Sequence, residues 1–326
     1  MDYYVGVDGG GTKTTICIAS ADSSLLLSEL TGSASWKEYG TTHVVSNIKA
    51  IIDAFPIGAD GRIAGIAMGL PYFGEGEAGD RELKSVILEI FGEIPVYLTN
   101  DVEVGWAGSL GLLPGVNVVA GTGSIAFGKN EAGETCRCGG WSEFFSDEGS
   151  CFWIGRKVLE LFSKQSDGRL PRDELYSVVR SAFNLSNDID IIEPVHGKYL
   201  ASREKVASLQ LLAKEAALAG SISAMELYKK AAAELCGLVA AISNRLKFED
   251  EPFLVSYSGG LFKTGELILP HFFSGIEAFG GLPVTPKFEP MFGALLMAFS
   301  LGCPSGLPML QKRLSDGYCT QVAKNG

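Results

Sequence analysis

The sequence has little of what several classes of protein depend on. Only 3 of its 326 residues are histidine, and His43, His196 and His271 are scattered without an evident partner, so none is nominated as a catalyst. Lysine and arginine number 27 against 38 aspartates and glutamates, which gives a net charge of −11. The basic residues form no stripe, so we expect no nucleic-acid partner. The acidity mainly favours solubility.

Long hydrophobic runs are also missing. Apolar segments are broken by glycine, proline or charge before they could span a bilayer, and MDYYVGVDG lacks the basic region of a signal peptide. The seven cysteines are odd in number and irregularly spaced, which favours reduced thiols over a disulfide framework. Cys136 and Cys138 are two thiols where structural zinc needs four ligands. We therefore expect a cytoplasmic protein without membrane contact.

What is present is an α/β pattern that occurs twice. In the first half we predict strands at 3–8, 15–19, 25–30, 62–68 and 95–98, and helices at 43–55, at 81–91 and from 101 onward. "VNVVAGTGSIAFG" (116–128) and "FLVSYSGGLF" (253–262) repeat this layout, and helical stretches at 148–164 and 172–246 lie between them. The pattern predicts two related halves, the second carrying a helical insertion, with a hinge near Leu113-Pro114-Gly115.

The glycine-rich stretch "VGVDGGGTKT" (5–14) fits neither of two familiar phosphate-binding loops. A P-loop needs glycine before its lysine, and here Thr12 precedes Lys13. A Rossmann turn needs a third glycine that opens a helix, but Thr14 stands there and the β-branched segment that follows is typical of a strand.

The remaining interpretation is a phosphate-binding hairpin between two strands. Consecutive glycine N–H groups can face phosphate oxygens without obstruction by a Cβ atom, and Thr12 and Thr14 can add hydroxyl donors. The alternative is an ordinary glycine-rich β-turn. A second loop, "AGTGS" (120–124), also joins two strands. Two such hairpins on related halves favour the binding of a polyphosphate.

An ordered set of motifs gives the sequence a family resemblance. "DGGGTKT", "TNDVEVGWAGSLG", "VVAGTGSIAFG", "GGWSEFFSDEGSCFWIG", "SYSGGLFKTG" and "PMFGALLMA" resemble the N-acetylglucosamine kinase and BadF/BadG/BcrA/BcrD-type ATPase family. That family belongs to the superfamily of acetate and sugar kinases, heat-shock ATPases and actin. The resemblance implies an α/β fold of two ribonuclease-H-like domains, each β-β-β-α-β-α-β-α, with ATP in the cleft between them.

The domain boundaries follow from the same resemblance and from the duplicated pattern. We expect an N-terminal domain at 1–114, joined by the C-terminal segment from about 303 to 326. The second domain is expected at 115–302, with its helical insertion at about 165–246. The resemblance also implies a homodimer.

The resemblance places the catalytic base at Asp101, which follows a strand and begins a helix. A carboxylate facing a sugar hydroxyl can accept its proton during phosphoryl transfer. The alternative is that Asn100 or Asp101 is only a helix cap. Asp8, which ends the first strand beside the glycines, is predicted to hold Mg²⁺ through its water shell, although aspartate before glycine is also common in turns.

The remaining site residues divide into nucleotide and sugar contacts. Nucleotide contacts are expected from three glycine-rich segments: Gly9, Gly10, Gly11, Thr12, Lys13 and Thr14; Gly121, Thr122, Gly123 and Ser124; and Gly259, Gly260 and Leu261. The resemblance implies sugar contacts by Gly140, Trp141 and Asp147, although Trp141 could equally belong to the core and Asp147 could serve the start of a helix.

Several positions of the sugar site depart from the family pattern. Ser35 and Trp36 stand where an asparagine is usual and are expected to contact the sugar, and Ser142 and Ser146 replace glycines. The loop "GLPYFGEG" (69–76) also differs. Losing one hydrogen bond to a substrate hydroxyl can shift preference considerably. The acceptor is therefore expected to be N-acetylglucosamine, glucosamine or another amino sugar or hexose.

These observations favour an ATP-dependent sugar kinase that uses Mg²⁺. Two other functions stay open. One is an ATPase that activates a partner enzyme. Family members with that role hold an iron–sulfur cluster through cysteines, and the cysteines of this sequence show no such arrangement. The other is a nucleotide-binding sensor without turnover, against which the presence of both Asp8 and Asp101 argues.

Overall fold

The structure, a computed structural model, describes residues 1–24, 26–200, 202–249, 252–317 and 320–321. Its strands are β1 (Asp2–Gly9), β2 (Thr14–Ser20), β3 (Leu26–Thr31), β4 (Arg62–Leu70), β5 (Val96–Asn100), β6 (Gly115–Ala120), β7 (Ser124–Lys129), β8 (Thr135–Gly139), β9 (Phe253–Ser258), β10 (Gly281–Pro283) and β11 (Thr320–Gln321).

The α-helices are interspersed among the strands that follow β3. They are α1 (Trp36–Tyr39), α2 (Thr41–Ala54), α3 (Glu77–Phe91), α4 (Asp101–Leu110), α5 (Cys151–Ser166), α6 (Glu174–Ala182), α7 (Ile192–Pro194), α8 (Arg203–Ser208), α9 (Gln210–Leu218), α10 (Ile222–Arg245), α11 (Leu269–Glu277), α12 (Pro290–Gly302) and α13 (Leu307–Ser315). Within the described residues, no helix is both long and apolar enough to cross a membrane.

The chain forms two compact units, and unit 1 consists of residues 1–113 and 285–326. Its sheet has the order β11-β3-β2-β1-β4-β5, in which β1 pairs antiparallel with β2 and parallel with β4, and β4 pairs parallel with β5. The register aligns Asp8 with Gly69 and Gly69 with Thr99. Because parallel strands end at the same edge, Asp8 and the start of α4 lie at one edge of this sheet.

Helices cover the sheet of unit 1 because their apolar residues recur at helical spacing. The buried residues of α3, Leu83, Ile87 and Phe91, are each four positions apart. Glycines allow α12 to approach its neighbours closely. A Cβ atom at Gly6 would lie 2.8 Å from the Cα atom of Leu295, and one at Gly293 would overlap the backbone of α4. The apolar sequence of α12 is thereby buried inside unit 1.

Unit 2 comprises residues 114–284. Its sheet has the order β10-β9-β6-β7-β8, in which β6, β7 and β8 are antiparallel neighbours while β9 is parallel to both β6 and β10. Its core joins the strands to α5, α10 and α11, with the fully buried Tyr228, Phe162 and Phe272 among the largest side chains. The helices α6 to α10 form the insertion between β8 and β9.

The duplication expected from the sequence is confirmed by the strand orders. The five strands β3-β2-β1-β4-β5 of unit 1 have the same order and directions as β8-β7-β6-β9-β10 of unit 2. This is the ribonuclease-H-like α/β arrangement, with the helical insertion in the second unit. The interdomain ATP cleft implied by the resemblance stays a prediction.

The observed boundary of the second unit differs from the expected one. We expected that domain to run to 302, but residues 285–302 belong to unit 1. The physical reason is that α12 packs on β1 and α4, which only the three-dimensional contacts reveal. The strand expected at 25–30 is β3, and Leu25 lies outside the described residues.

Candidate active site

The first glycine turn connects β1 to β2, and hydrogen bonds accepted by its carbonyl groups hold it in place. The N–H of Gly10 donates to the Lys13 carbonyl at 2.9 Å, which closes the turn. The N–H of Ala34 donates to the Gly10 carbonyl at 2.9 Å, and the Ser33 hydroxyl donates to the Gly11 carbonyl at 2.7 Å. Two successive carbonyls of the turn therefore face the segment that follows β3.

The direction of these carbonyls determines where the next N–H groups point. In a trans peptide the C=O and the following N–H point in opposite directions, so the N–H groups of Gly11 and Thr12 face away from Ser33 and Ala34. Within the described ranges, neither N–H donates a hydrogen bond to another residue. A Cβ atom at Gly11 would meet nothing within 4 Å. The turn thus presents two consecutive free amides beside open space, which suits an anion.

The other residues of this turn have different roles. A Cβ atom at Gly9 would lie 2.8 Å from side chains of Ala34 and Leu70, so glycine there permits packing. Thr12 and Lys13 are exposed. Thr14, which we expected to offer a hydroxyl to phosphate, is buried within β2 at 1% exposure. The amides, rather than the Thr14 hydroxyl, are the accessible donors of this turn.

The second glycine turn connects β6 to β7 and is arranged in the same way. The N–H of Cys151 donates to the Gly121 carbonyl at 2.9 Å, and the N–H of Phe152 donates to the Thr122 carbonyl at 3.2 Å. The N–H groups of Thr122 and Gly123 consequently point away from the start of α5. They donate to no residue in the part of the chain that the structure describes, and a Cβ atom at Gly121 would meet nothing within 4 Å.

A partly buried ion pair supports this second turn. Asp147 is 2% exposed, and its Oδ1 accepts a hydrogen bond from the Ser124 N–H at 3.2 Å. Its Oδ2 forms an ion pair with Arg203, the first residue of α8 in the insertion. A Cβ atom at Gly123 would lie 2.9 Å from both Asp147 oxygens. Glycine at 123 therefore allows the carboxylate to sit against the turn.

We expect Arg203→Met to lower the stability of the protein by about 2–3 kcal/mol, because it leaves the Asp147 carboxylate buried without its counter-charge. The loss falls below the usual value of about 3–5 kcal/mol for a fully buried pair, since the Arg203 side chain itself is 38% exposed. Urea denaturation measures the change. The double variant Arg203→Met/Asp147→Asn should recover much of the loss. Arg169→Met, which breaks an exposed pair with Asp167, should change stability by less than about 0.5 kcal/mol. Equal losses in the two single arginine variants would contradict this account.

The third glycine segment follows β9. Gly259 has φ +101°, and a Cβ atom there would overlap the backbone of Ala120, next to the second glycine turn. Gly260 faces open space. Leu261 has a fully buried side chain, so only its main chain can reach a ligand. The segment brings its backbone to the same edge of the unit 2 sheet as Gly121.

Asp101 is the first residue of α4, and its neighbour Asn100 supplies the cap. The Asn100 side chain accepts a hydrogen bond from the Val102 N–H at 3.1 Å and donates one to the Phe73 carbonyl at 2.8 Å. The capping interpretation thus applies to Asn100. The Asp101 carboxylate lies close enough to Asp8 to repel its charge.

Asp8 experiences an environment that favours its neutral form. Burial raises the pKa of the Asp8 carboxyl to about 7, with further contributions from the charges of Asp101 and Glu289, while Lys13 lowers it. A cation beside Asp8 would oppose these effects and favour the charged carboxylate. Among the described residues, no group of three or more His, Cys, Asp or Glu side chains has metal-binding geometry. A Mg²⁺ ion that kept its waters and phosphate ligands would need only one or two carboxylates, which Asp8 fits.

The predicted sugar-binding residues differ widely in their exposure to solvent. Ser35 and Trp36 are 2% and 5% exposed, and the Trp36 Nε1 donates to the Pro71 carbonyl at 2.7 Å. Gly140 has φ +68°, which explains glycine there, and Trp141 is 78% exposed. Trp141 is therefore not a core residue. The contacts of Ser35, Trp36, Gly140, Trp141 and Asp147 with a sugar stay predictions.

Arg203 is a residue of this site that no motif in the sequence predicts. It lies 56 residues from Asp147 in the chain, inside a helical insertion with no distinctive motif. The one local signal is Ser202, which caps α8 and so marks Arg203 as the first helical residue.

The duplicated sheets with their glycine turns define a two-domain α/β fold of the sugar kinase and actin type. A model of the BadF/BadG/BcrA/BcrD ATPase family matches residues 5–298, and the chain belongs to this family.

The chain is also similar to several named proteins. It is 27% identical over 308 residues to an N-acetylmuramic acid/N-acetylglucosamine kinase of Clostridium acetobutylicum, and the alignment covers 92% of this chain and 99% of the relative. It is 28% identical over 274 residues to an N-acetyl-D-glucosamine kinase of Dictyostelium discoideum, covering 79% and 85%. The crystal structure of a candidate N-acetylglucosamine kinase from Chromobacterium violaceum superposes with a TM-score of 0.67 at 26% identity, covering 91% and 98%.

Proposed function

We propose that the protein is an ATP-dependent kinase that transfers the γ-phosphate to a hydroxyl of an amino sugar. The observation that carries this proposal is the matching geometry of the two glycine turns. Each holds two successive carbonyls on one side and so presents on the other two N–H groups that donate to no described residue, at Gly11 and Thr12 and at Thr122 and Gly123. Backbone amides in this arrangement bind phosphate oxygens. The named relatives support the choice of a kinase.

Asp101 is the proposed base. The sugar hydroxyl oxygen forms a bond to the γ-phosphorus, the bond from that phosphorus to the β-phosphate oxygen of ATP breaks, and the hydroxyl proton passes to the Asp101 carboxylate. Phosphoryl transfer depends mainly on positioning and on charge stabilisation. The rigid attachment of Asp101 to a capped helix start supplies the positioning. Magnesium bound with ATP would supply neutralisation of phosphate charge, and Asp8 is the residue proposed to hold it.

The acceptor is proposed to be N-acetylglucosamine or glucosamine. The names of the relatives support an amino sugar, and one of them also includes N-acetylmuramic acid. A homodimer is proposed on the family resemblance alone, and the mass in solution by light scattering would test it.

A coupled assay of ADP release tests the function. The protein is incubated with ATP and Mg²⁺ and with a panel of N-acetylglucosamine, glucosamine, N-acetylmuramic acid and glucose, and the phosphorylated product is identified by mass spectrometry. We expect ADP release to depend on an amino sugar and to match the product in amount. ADP release without any acceptor would favour a partner-activating ATPase instead. The absence of release with every acceptor would favour a sensor without turnover.

A further inference from the structure

The loop that follows β4 lies beside the proposed base. Leu70, the last residue of β4, pairs in register with Asn100, and the Phe73 carbonyl accepts a hydrogen bond from the Asn100 side chain at 2.8 Å. Tyr72 stands between these two attachment points. Its position in the chain therefore places it at the edge of the unit 1 sheet where α4 begins with Asp101.

Tyr72, unlike Trp36, has a ring that is accessible to a ligand. Trp36 is 5% exposed and its indole N–H is already bonded to the Pro71 carbonyl. Tyr72 is 36% exposed and packs edge-on against Trp36, with ring centroids 6.5 Å apart. The Lys37 ammonium lies 4.8 Å from the Tyr72 ring centroid. The ring is thus held by two neighbours and still reaches solvent.

The backbone of Tyr72 is strained. Its φ of +65° lies in the left-handed region, which costs a residue with a Cβ atom free energy that glycine avoids. Hydrogen bonds to other segments hold its neighbours in place, through the Pro71 and Phe73 carbonyls and the Gly74 N–H. A glycine would fit more easily, and strained positions of this kind occur at functional sites. The strain is explained if the ring itself is needed there.

We propose that Tyr72 binds the acceptor, with its ring packed against the apolar C–H face of the amino sugar that Asp101 deprotonates. This inference rests on the proposed function and deepens it by naming a specificity residue. An aromatic ring supplies a large contact area at low entropy cost and can offer its hydroxyl to a sugar oxygen. The departure of the loop "GLPYFGEG" from the family pattern then sets the preference of this chain among acceptors.

The test compares three substitutions by Michaelis constants for sugar and ATP and by thermal unfolding. Tyr72→Gly removes the strain together with the ring and its contacts to Trp36 and Lys37, so we expect its Tm to exceed that of Tyr72→Leu by about 2 °C, while KM for the amino sugar rises about tenfold. Tyr72→Leu keeps the strain and removes the ring, so KM for the sugar should rise without a gain in Tm. Tyr72→Phe should stay within about threefold of the wild type, because it keeps the ring. KM for ATP should not change in any of them.

A matched control separates the ring from the backbone. Asn184 is an exposed residue with φ +50° in unit 2, and Asn184→Gly should leave both Michaelis constants unchanged. An active wild type with an unchanged sugar KM in Tyr72→Leu would overturn the inference alone. A parallel rise in KM for ATP would also overturn it, since the loop would then have only a structural role. A wild type that phosphorylates no amino sugar would overturn the proposed function together with this inference.

Discussion

Asp101→Asn is expected to lower kcat for sugar phosphorylation by about 10³-fold while ATP affinity and Tm stay close to those of the wild type. A positioned general base contributes about 10² to 10⁴ to a rate, and the amide cannot accept the hydroxyl proton. The fold should tolerate the change because asparagine has almost the same shape, and because the cap of α4 is the side chain of the preceding residue, Asn100. Steady-state kinetics and calorimetric titration with a non-hydrolysable ATP analogue measure the two effects.

A control for this substitution is Glu77→Gln, which neutralises an exposed carboxylate in the first turn of α3. Both variants lose one negative charge at the start of a helix, so a general effect of charge on the helix would appear in both. We expect the kcat of Glu77→Gln to stay within about twofold of the wild type, since a surface ion pair contributes little. Retention of more than a tenth of wild-type kcat by Asp101→Asn would remove Asp101 from the role of base.

Local patterns in the sequence were sufficient for the elements that the backbone itself determines. The glycines and the β-branched residues after Lys13 predicted a hairpin rather than a strand–helix turn, and β1 and β2 confirm it. The position of Asp101 after a strand predicted the start of α4. Such features depend on neighbours within a few residues, so a single sequence contains their cause.

Other features depend on contacts between distant parts of the chain. Three of them arise from packing that no short-range sequence pattern reveals. They are the ion pair of Arg203 with Asp147, the burial of Trp36 and the assignment of α12 to unit 1. The sequence likewise did not show that Thr14 is buried, because a strand covered on both faces buries residues that point to either side. Composition and motif therefore identified the turns, while the fold decided which of their atoms are accessible.

Two adjacent glycines in the segment after β9 should respond oppositely to the same substitution. Gly259→Ala is expected to destabilise the protein by about 4 kcal/mol, since a Cβ atom would overlap the Ala120 backbone and φ +101° disfavours a side chain. Gly260→Ala meets open space, so it should keep or slightly raise Tm through the smaller entropy of the unfolded chain. Its methyl group would instead enter the space proposed for the nucleotide and raise KM for ATP about tenfold.

Gly237→Ala provides the comparison that decides between a nucleotide contact and a general effect of added methyl groups. Gly237 is an exposed residue within α10, where a Cβ atom would also meet nothing within 4 Å. Alanine there should raise stability by up to about 1 kcal/mol, as in other helix interiors, and leave KM for ATP unchanged. If Gly260→Ala behaves like Gly237→Ala in both measurements, the backbone after β9 does not approach the nucleotide. If Gly259→Ala melts at the wild-type temperature, the close contact between β9 and β6 is not as described.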